Sequence, residues 1–162
     1  MRTRNQFADD AAILFVLMTV RGIKRIRLSD TQGQATDSIT LDAHDRSIRR
    51  KLIKTDGGND VLVDLPLTAY FEDGDHLELD DGTYLEICAA EEELYEITGS
   101  SPAHIAQLAW HIGNRHLLAQ IEFNRILMKR DHIIKAMLIG LHATVKDVRE
   151  QFDPLHGAYH AH

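Results

Sequence analysis

The chain has 162 residues, with 18 Lys plus Arg against 25 Asp plus Glu and a formal net charge of −7. That length holds one domain or two small ones, and that charge argues against nucleic acid as the main partner, since phosphate binding needs a basic face. Cys88 is the only cysteine, which excludes an internal disulfide and a thiolate metal cage and fits a reducing cytoplasm.

Arg2 and Arg4 precede an apolar run from Ala11 to Val20. The run is ten residues long, about half a membrane span, so no membrane partner is expected. Arg21-Gly22-Ile23-Lys24-Arg25 follows it in place of a small-residue cleavage site, which disfavours a signal peptide. The run reads as a short buried segment, or as part of an extension (residues 1–17) upstream of a start at Met18.

Residues 18–93 read as β structure. Thr55-Asp56-Gly57-Gly58-Asn59-Asp60 separates Leu52-Ile53 from the alternating Val61, Val63 and Leu65. Glu72-Asp73-Gly74-Asp75 is a second turn, and Asp81-Gly82 between Leu79 and Leu85 has the spacing of a two-residue hairpin. Short strands at such intervals suggest a small barrel or sandwich. The Asp-rich turns lack the spacing of a calcium loop and are explained by turn chemistry.

The period changes near residue 94. Leu94–Thr98 is expected as a strand, and a helix should follow with Ser101 as N-cap and Pro102 at its first position. Ile105, Leu108, Ala109 and Ile112 form its buried face. Gly113-Asn114 should end it. Leu117–Phe123 and Ile126–Met128 read as strands joined at Asn124-Arg125, and Asp131 should cap a second helix packed through Ile134, Met137, Leu138 and Leu141. Thr144–Phe152 reads as the last strand. The order over residues 94–152 is βαββαβ, that of a ferredoxin-like domain, so the fold class is α+β. Residues 153–162 carry Pro, Gly and three histidines, and read as a flexible tail.

Eight of the ten histidines lie at or after His104, which makes metal binding the leading chemistry. Trp110-His111-Ile112-Gly113-Asn114-Arg115-His116 ends its helix in an imidazole beside a cation, and a neutral imidazole can give a lone pair to a metal. The bland alternative for His116 is a cation at the helix dipole's negative end. For the tail it is an inert end.

These stretches resemble the urease accessory nickel chaperones. Leu108–His116 looks like that family's central motif, followed by Leu117-x-x-Gln120-Ile121. Arg130-Asp131-His132 with Met137-Leu138 and Gly140-Leu141 resembles its second-helix signature, and Phe152-Asp153-Pro154 through Gly157-Ala158-Tyr159 its C-terminal one. Asp45-Arg46 and Leu65-Pro66 with Asp73-Gly74-Asp75 are weaker matches. The resemblance implies a β-rich peptide-binding domain, a ferredoxin-like nickel domain and a homodimer. It implies partners in a urease accessory GTPase and the apo-urease complex, with Ni2+ as cargo. His116 matches the ligand near the two-fold axis, His132 a more peripheral position, and His156, His160 and His162 a tail that collects metal. Arg130 stands where some relatives carry another histidine. Imidazole also accepts Cu2+, Zn2+ and Co2+.

Two other function classes fit the residues. One is a metal-dependent hydrolase using His116, His132 and a carboxylate such as Glu122 or Asp131, although no His-Glu-x-x-His helix is present. The other is a dimeric interaction module with incidental histidines.

Overall fold

The computed structural model describes residues 20–31 and 33–156. The extension at 1–17, His160 and His162 lie outside the described residues, as does the Ala11–Val20 run except Val20 itself. The chain divides into two units, one taking the residues to Thr40 and Asp45–Cys88, the other Leu41–His44 and the residues from Ala89 on.

The first unit is one six-stranded sheet of order β2-β6-β5-β1-β4-β3. Its strands are β1 (Val20–Ile26), β2 (Asp37–Leu41), β3 (Ser47–Lys54), β4 (Asp60–Tyr70), β5 (Asp75–Leu79) and β6 (Tyr84–Ala89). β1 runs parallel to β4 and antiparallel to β5. Val61, Val63, Leu65, Leu77, Leu79, Leu85 and Ile87 are buried along alternating positions. Each such side chain contributes roughly 1.5–3 kcal/mol when fully buried. The expected barrel or sandwich is instead a half-barrel, closed by a side chain. Asp37, where edge strand β2 starts, accepts bonds from Thr55 Oγ1 (2.5 Å), Asn59 Nδ2 (3.0 Å) and the Gly57 N–H (3.0 Å) in the turn after edge strand β3. Those bonds hold its carboxyl down at about 2.

The turns follow the sequence, with Gly58, Gly74 and Gly82 all at positive φ. The Asp81-Gly82 loop is longer than the expected two residues. Leu79 N–H bonds to the Thr83 carbonyl, leaving three residues between, with Gly82 in the left-handed position. The weaker motif residues of this unit are structural. Asp75 is buried, pairs with Arg25 and accepts the Glu72 and Leu28 N–H groups. Arg46 is fully buried and donates to the Phe71 carbonyl at 3.0 Å.

The second unit contains β7 (Glu91–Thr98), α1 (Pro102–Gly113), β8 (Gln120–Ile121), β9 (Ile126–Lys129), α2 (His132–Gly140) and β10 (Thr144–Gln151). The sheet order is β10-β7-β9-β8, antiparallel throughout. Ile105, Leu108 and Ile112 of α1 pack with Ile134 and Leu138 of α2 on Tyr95, Ile97, Ile126 and Met128, so both helices cover one face. A smaller cluster of Ala43, Leu94, Leu127 and Phe152 lies apart from them.

Several expected boundaries shift. β7 begins at Glu91, because Glu91, Glu92 and Glu93 find partners in Arg149, Lys129 and Arg130. β8 is two residues long, since Leu117–Ala119 is spent leaving the helix. β10 ends at Gln151. No helix among the described residues is long and apolar enough to cross a membrane.

Candidate metal centre

Helix α1 starts as its sequence dictates. The Ser101 hydroxyl accepts the His104 N–H at 3.2 Å, and Pro102 takes the first helical position. Its end differs from expectation. Asn114 keeps right-handed dihedrals (φ −64°, ψ −12°), and the left-handed residue is His116 itself, at φ 57°. His116 N–H bonds to the Gly113 carbonyl at 2.9 Å, and Leu117 N–H to the Ile112 carbonyl at 3.5 Å. This is the Schellman pattern, with histidine where glycine is usual. Ile112 is fully buried and Leu117 packs on the same cluster, which supplies the apolar contact that accompanies the motif. A left-handed non-glycine residue costs roughly 1–2 kcal/mol, so the surrounding bonds must hold it there.

The His116 ring is exposed and makes no hydrogen bond among the described residues. Arg115 does not lean on it, since the guanidinium turns back and Nη1 donates to the His111 carbonyl at 2.9 Å. His111 is half-buried, edge-on to Trp110 with ring centroids 5.0 Å apart. Trp110 is 63% exposed.

His132 is the first residue of α2 and is exposed. Arg130 beside it is occupied elsewhere, donating to the Leu94 and Val148 carbonyls and lying 3.5 Å from Glu93 and 3.6 Å from Asp147. His156 is exposed. The segment leading to it is pinned by the Leu155 N–H bonding to the Ala119 carbonyl at 2.9 Å, three residues past His116. His104 is spoken for. Its Nδ1 accepts the Ser100 N–H at 3.0 Å and its Nε2 donates to the Leu141 carbonyl at 2.8 Å. Among the described residues no group of three or more His, Cys, Asp or Glu could hold a metal ion.

Two domain models of one family match the sequence. "UreE urease accessory protein, N-terminal domain" matches residues 19–90, and "UreE urease accessory protein, C-terminal domain" matches residues 92–162. The chain belongs to the UreE urease accessory protein family. It is 58% identical over 125 residues to the urease accessory protein UreE of Brucella anthropi, covering 75% of this chain and 74% of that one. It is 56% identical over 121 residues to UreE 1 of Brucella suis biovar 1, covering 75% of each. With UreE of Agrobacterium fabrum it shares 49% over 133 residues, 82% of this chain and 83% of that one.

As a UreE protein the chain is a nickel chaperone of urease maturation, not an enzyme. The carboxylates a hydrolase would need are engaged in the fold. Glu122 receives Arg125 Nε at 2.7 Å and Gln120 Nε2 at 2.9 Å, and the Arg125 hydrogen bonds hold its carboxyl below the usual range. Asp131 caps α2 by accepting the Ile133 and Ile134 N–H groups at 2.8 and 3.0 Å. Sequence reasoning missed one residue of this unit. His142 is also left-handed and exposed, and its only signal is its place just after the second helix.

Proposed function

We propose that the chain carries Ni2+ as a homodimer, with His116 of both copies facing one ion and the tail histidines His156, His160 and His162 closing over it. The observation that carries this reading is the His116 backbone. It is held in a costly conformation by two hydrogen bonds while its ring stays exposed and free of hydrogen bonds among the described residues. A two-fold axis doubles the donor set without another residue in the sequence. Two imidazoles leave coordination positions open, which suits an ion that must be released, whereas a closed four-ligand cage would retain it. Imidazole also takes Cu2+, Zn2+ and Co2+, and copper has the higher intrinsic affinity, so selectivity comes from geometry, supply and partner.

In this reading residues 18–93 are the peptide-binding domain and 94–152 the ferredoxin-like nickel and dimer domain, preceded by an extension at 1–17 and followed by the tail at 153–162. The partners are a urease accessory GTPase and the apo-urease complex, met in the cytoplasm. The exposed Trp110 next to His111, together with Leu118 at 45% exposure, supports an apolar contact between copies near His116. Size measurement in the presence of a chelator tests the dimer. A dimer that persists without metal supports it, and a protein that dimerises only on nickel addition refutes an apolar interface.

A further inference from the structure

Helix α2 is apolar on more than its buried side. Ile134 and Leu138 enter the core, and Met137 and Leu141 pack against it. That one stripe is what a helix lying on a sheet requires. Ile133, Ala136 and Ile139 make a second stripe on the outer side, spaced three residues apart. Ile133 is 67% exposed and Ile139 54%, with Ala136 exposed between them. Lys135 is the one Lys, Arg, Asp or Glu in the helix, and it turns aside. Its Nζ donates to Asp147 at 2.9 Å and lies 4.8 Å from the centre of the Tyr95 ring. His132 borders the stripe at its start. A helix that is apolar all round is one buried all round, and a single chain leaves this one half covered.

We infer that this outer face is a contact between copies of the chain, with α2 of one copy lying antiparallel across α2 of another about a two-fold at Ala136. Two observations select a second copy over a different partner. The stripe is symmetric about Ala136, with one isoleucine three residues before it and one three residues after. Ile133 of each copy then meets Ile139 of the other, as an isologous contact requires. The chain also carries a formal charge of −7, so two copies repel unless they meet through a face without carboxylates, and this stripe has none. The small Ala136 at the crossing lets the helices approach closely. Nine residues of helix span about 14 Å, and one such face buries less than the roughly 800 Å² per partner of a stable interface. The contact is therefore weak and depends on concentration. It is centred on α2, whereas the two-fold proposed for nickel passes by His116 beyond α1. It joins dimers without metal, and that order of assembly rests on the dimer proposed above.

Oxidative cross-linking of the full-length protein, with a chelator present, tests the contact. At the roughly 8–10 Å spacing of packed helices, two Ala136 positions facing each other across the two-fold come within disulfide reach. Facing thiols are held at high effective concentration, so Ala136→Cys should form a covalent pair at least roughly tenfold faster than Ala106→Cys. Ala106 is an exposed alanine on α1, and the parent with Cys88 alone is a second control. Adding Ile139→Lys, at an exposed position where the fold is not at stake, should return Ala136→Cys to the rate of Ala106→Cys. Sedimentation of the parent should show association beyond the dimer that rises with concentration and is missing in Ile139→Lys. Equal rates for the two cysteines overturn the inference, as does fast cross-linking that Ile139→Lys leaves unchanged. A parent that sediments as a monomer when dilute refutes the dimer proposed above, and the Ala136→Cys rate still decides this face.

Discussion

The Leu155 N–H donates to the Ala119 carbonyl at 2.9 Å, and this bond fixes where the tail leaves the fold. Asp153 N–H reinforces it by donating to Gln120 Oε1 at 2.8 Å, and Phe152 is buried immediately before. His156 therefore starts from a point tied to the segment that follows His116. A ligand tethered in this way is held at high effective concentration.

Deleting residues 156–162 should therefore weaken nickel binding or lower its stoichiometry without abolishing it. Leu155→Pro removes the N–H that makes the clasp. It should weaken nickel binding by roughly tenfold, the order expected when a tethered ligand loses its placement, with all tail histidines present. Calorimetric titration of both variants checks this. Parent-like affinity in Leu155→Pro would mean that the clasp does not place the tail.

Replacing His116 by glycine separates strain from function. The left-handed backbone suits glycine, so His116→Gly should gain about 1 kcal/mol and raise the melting temperature by roughly 2–4 °C, while tight nickel binding is lost. His116→Ala should lose the nickel without that gain, because alanine keeps the Cβ. Thermal melts and titrations of the pair check the split. A His116→Gly variant less stable than the parent would show that the ring itself supports the fold.

The Asp37 staple predicts how the first unit responds to acid. The folded carboxyl sits at about 2 against an ordinary 3.8, chiefly because it accepts bonds from Thr55 and Asn59. A depressed carboxyl contributes stability that is complete above the unfolded value and lost as pH falls through the folded one. Stability should thus decline between roughly pH 4 and 2, and Asp37→Asn should flatten that decline while lowering stability at neutral pH. Urea midpoints across the range measure it. An unchanged slope in Asp37→Asn would show that Asp37 does not set the acid response.

Local chemistry made much of this molecule legible. Ser101 and Pro102 announced α1, Asp131 announced α2, and the glycines at 58, 74 and 82 announced turns. The βαββαβ order followed from the change of hydrophobic period. What stayed hidden depends on partners distant in sequence. The half-barrel is closed by Asp37 reaching residues 18 to 22 positions away. Glu91–Glu93 read as the end of the first β stretch, and their place in β7 shows only once Arg149, Lys129 and Arg130 stand opposite. The left-handed His116 was invisible because Gly113 and Asn114, the residues propensity favours for that conformation, sit too early, and packing of Ile112 and Leu117 decided the matter. Arg130, beside His132, has its charge met by Glu93 and Asp147. His132 stands at the positive end of its helix dipole, which disfavours a cation there.

In the proposed dimer His116 is the primary nickel ligand, shared by two copies. The most direct measurement is isothermal titration of nickel into the parent, His116→Ala, His132→Ala and the 156–162 deletion at one pH. One tight ion per two chains is expected in the parent and none in His116→Ala, with weakened binding in the deletion and a smaller loss in His132→Ala. Parent-like affinity in His116→Ala, with tight binding lost in the deletion, would contradict it and make the tail the primary site.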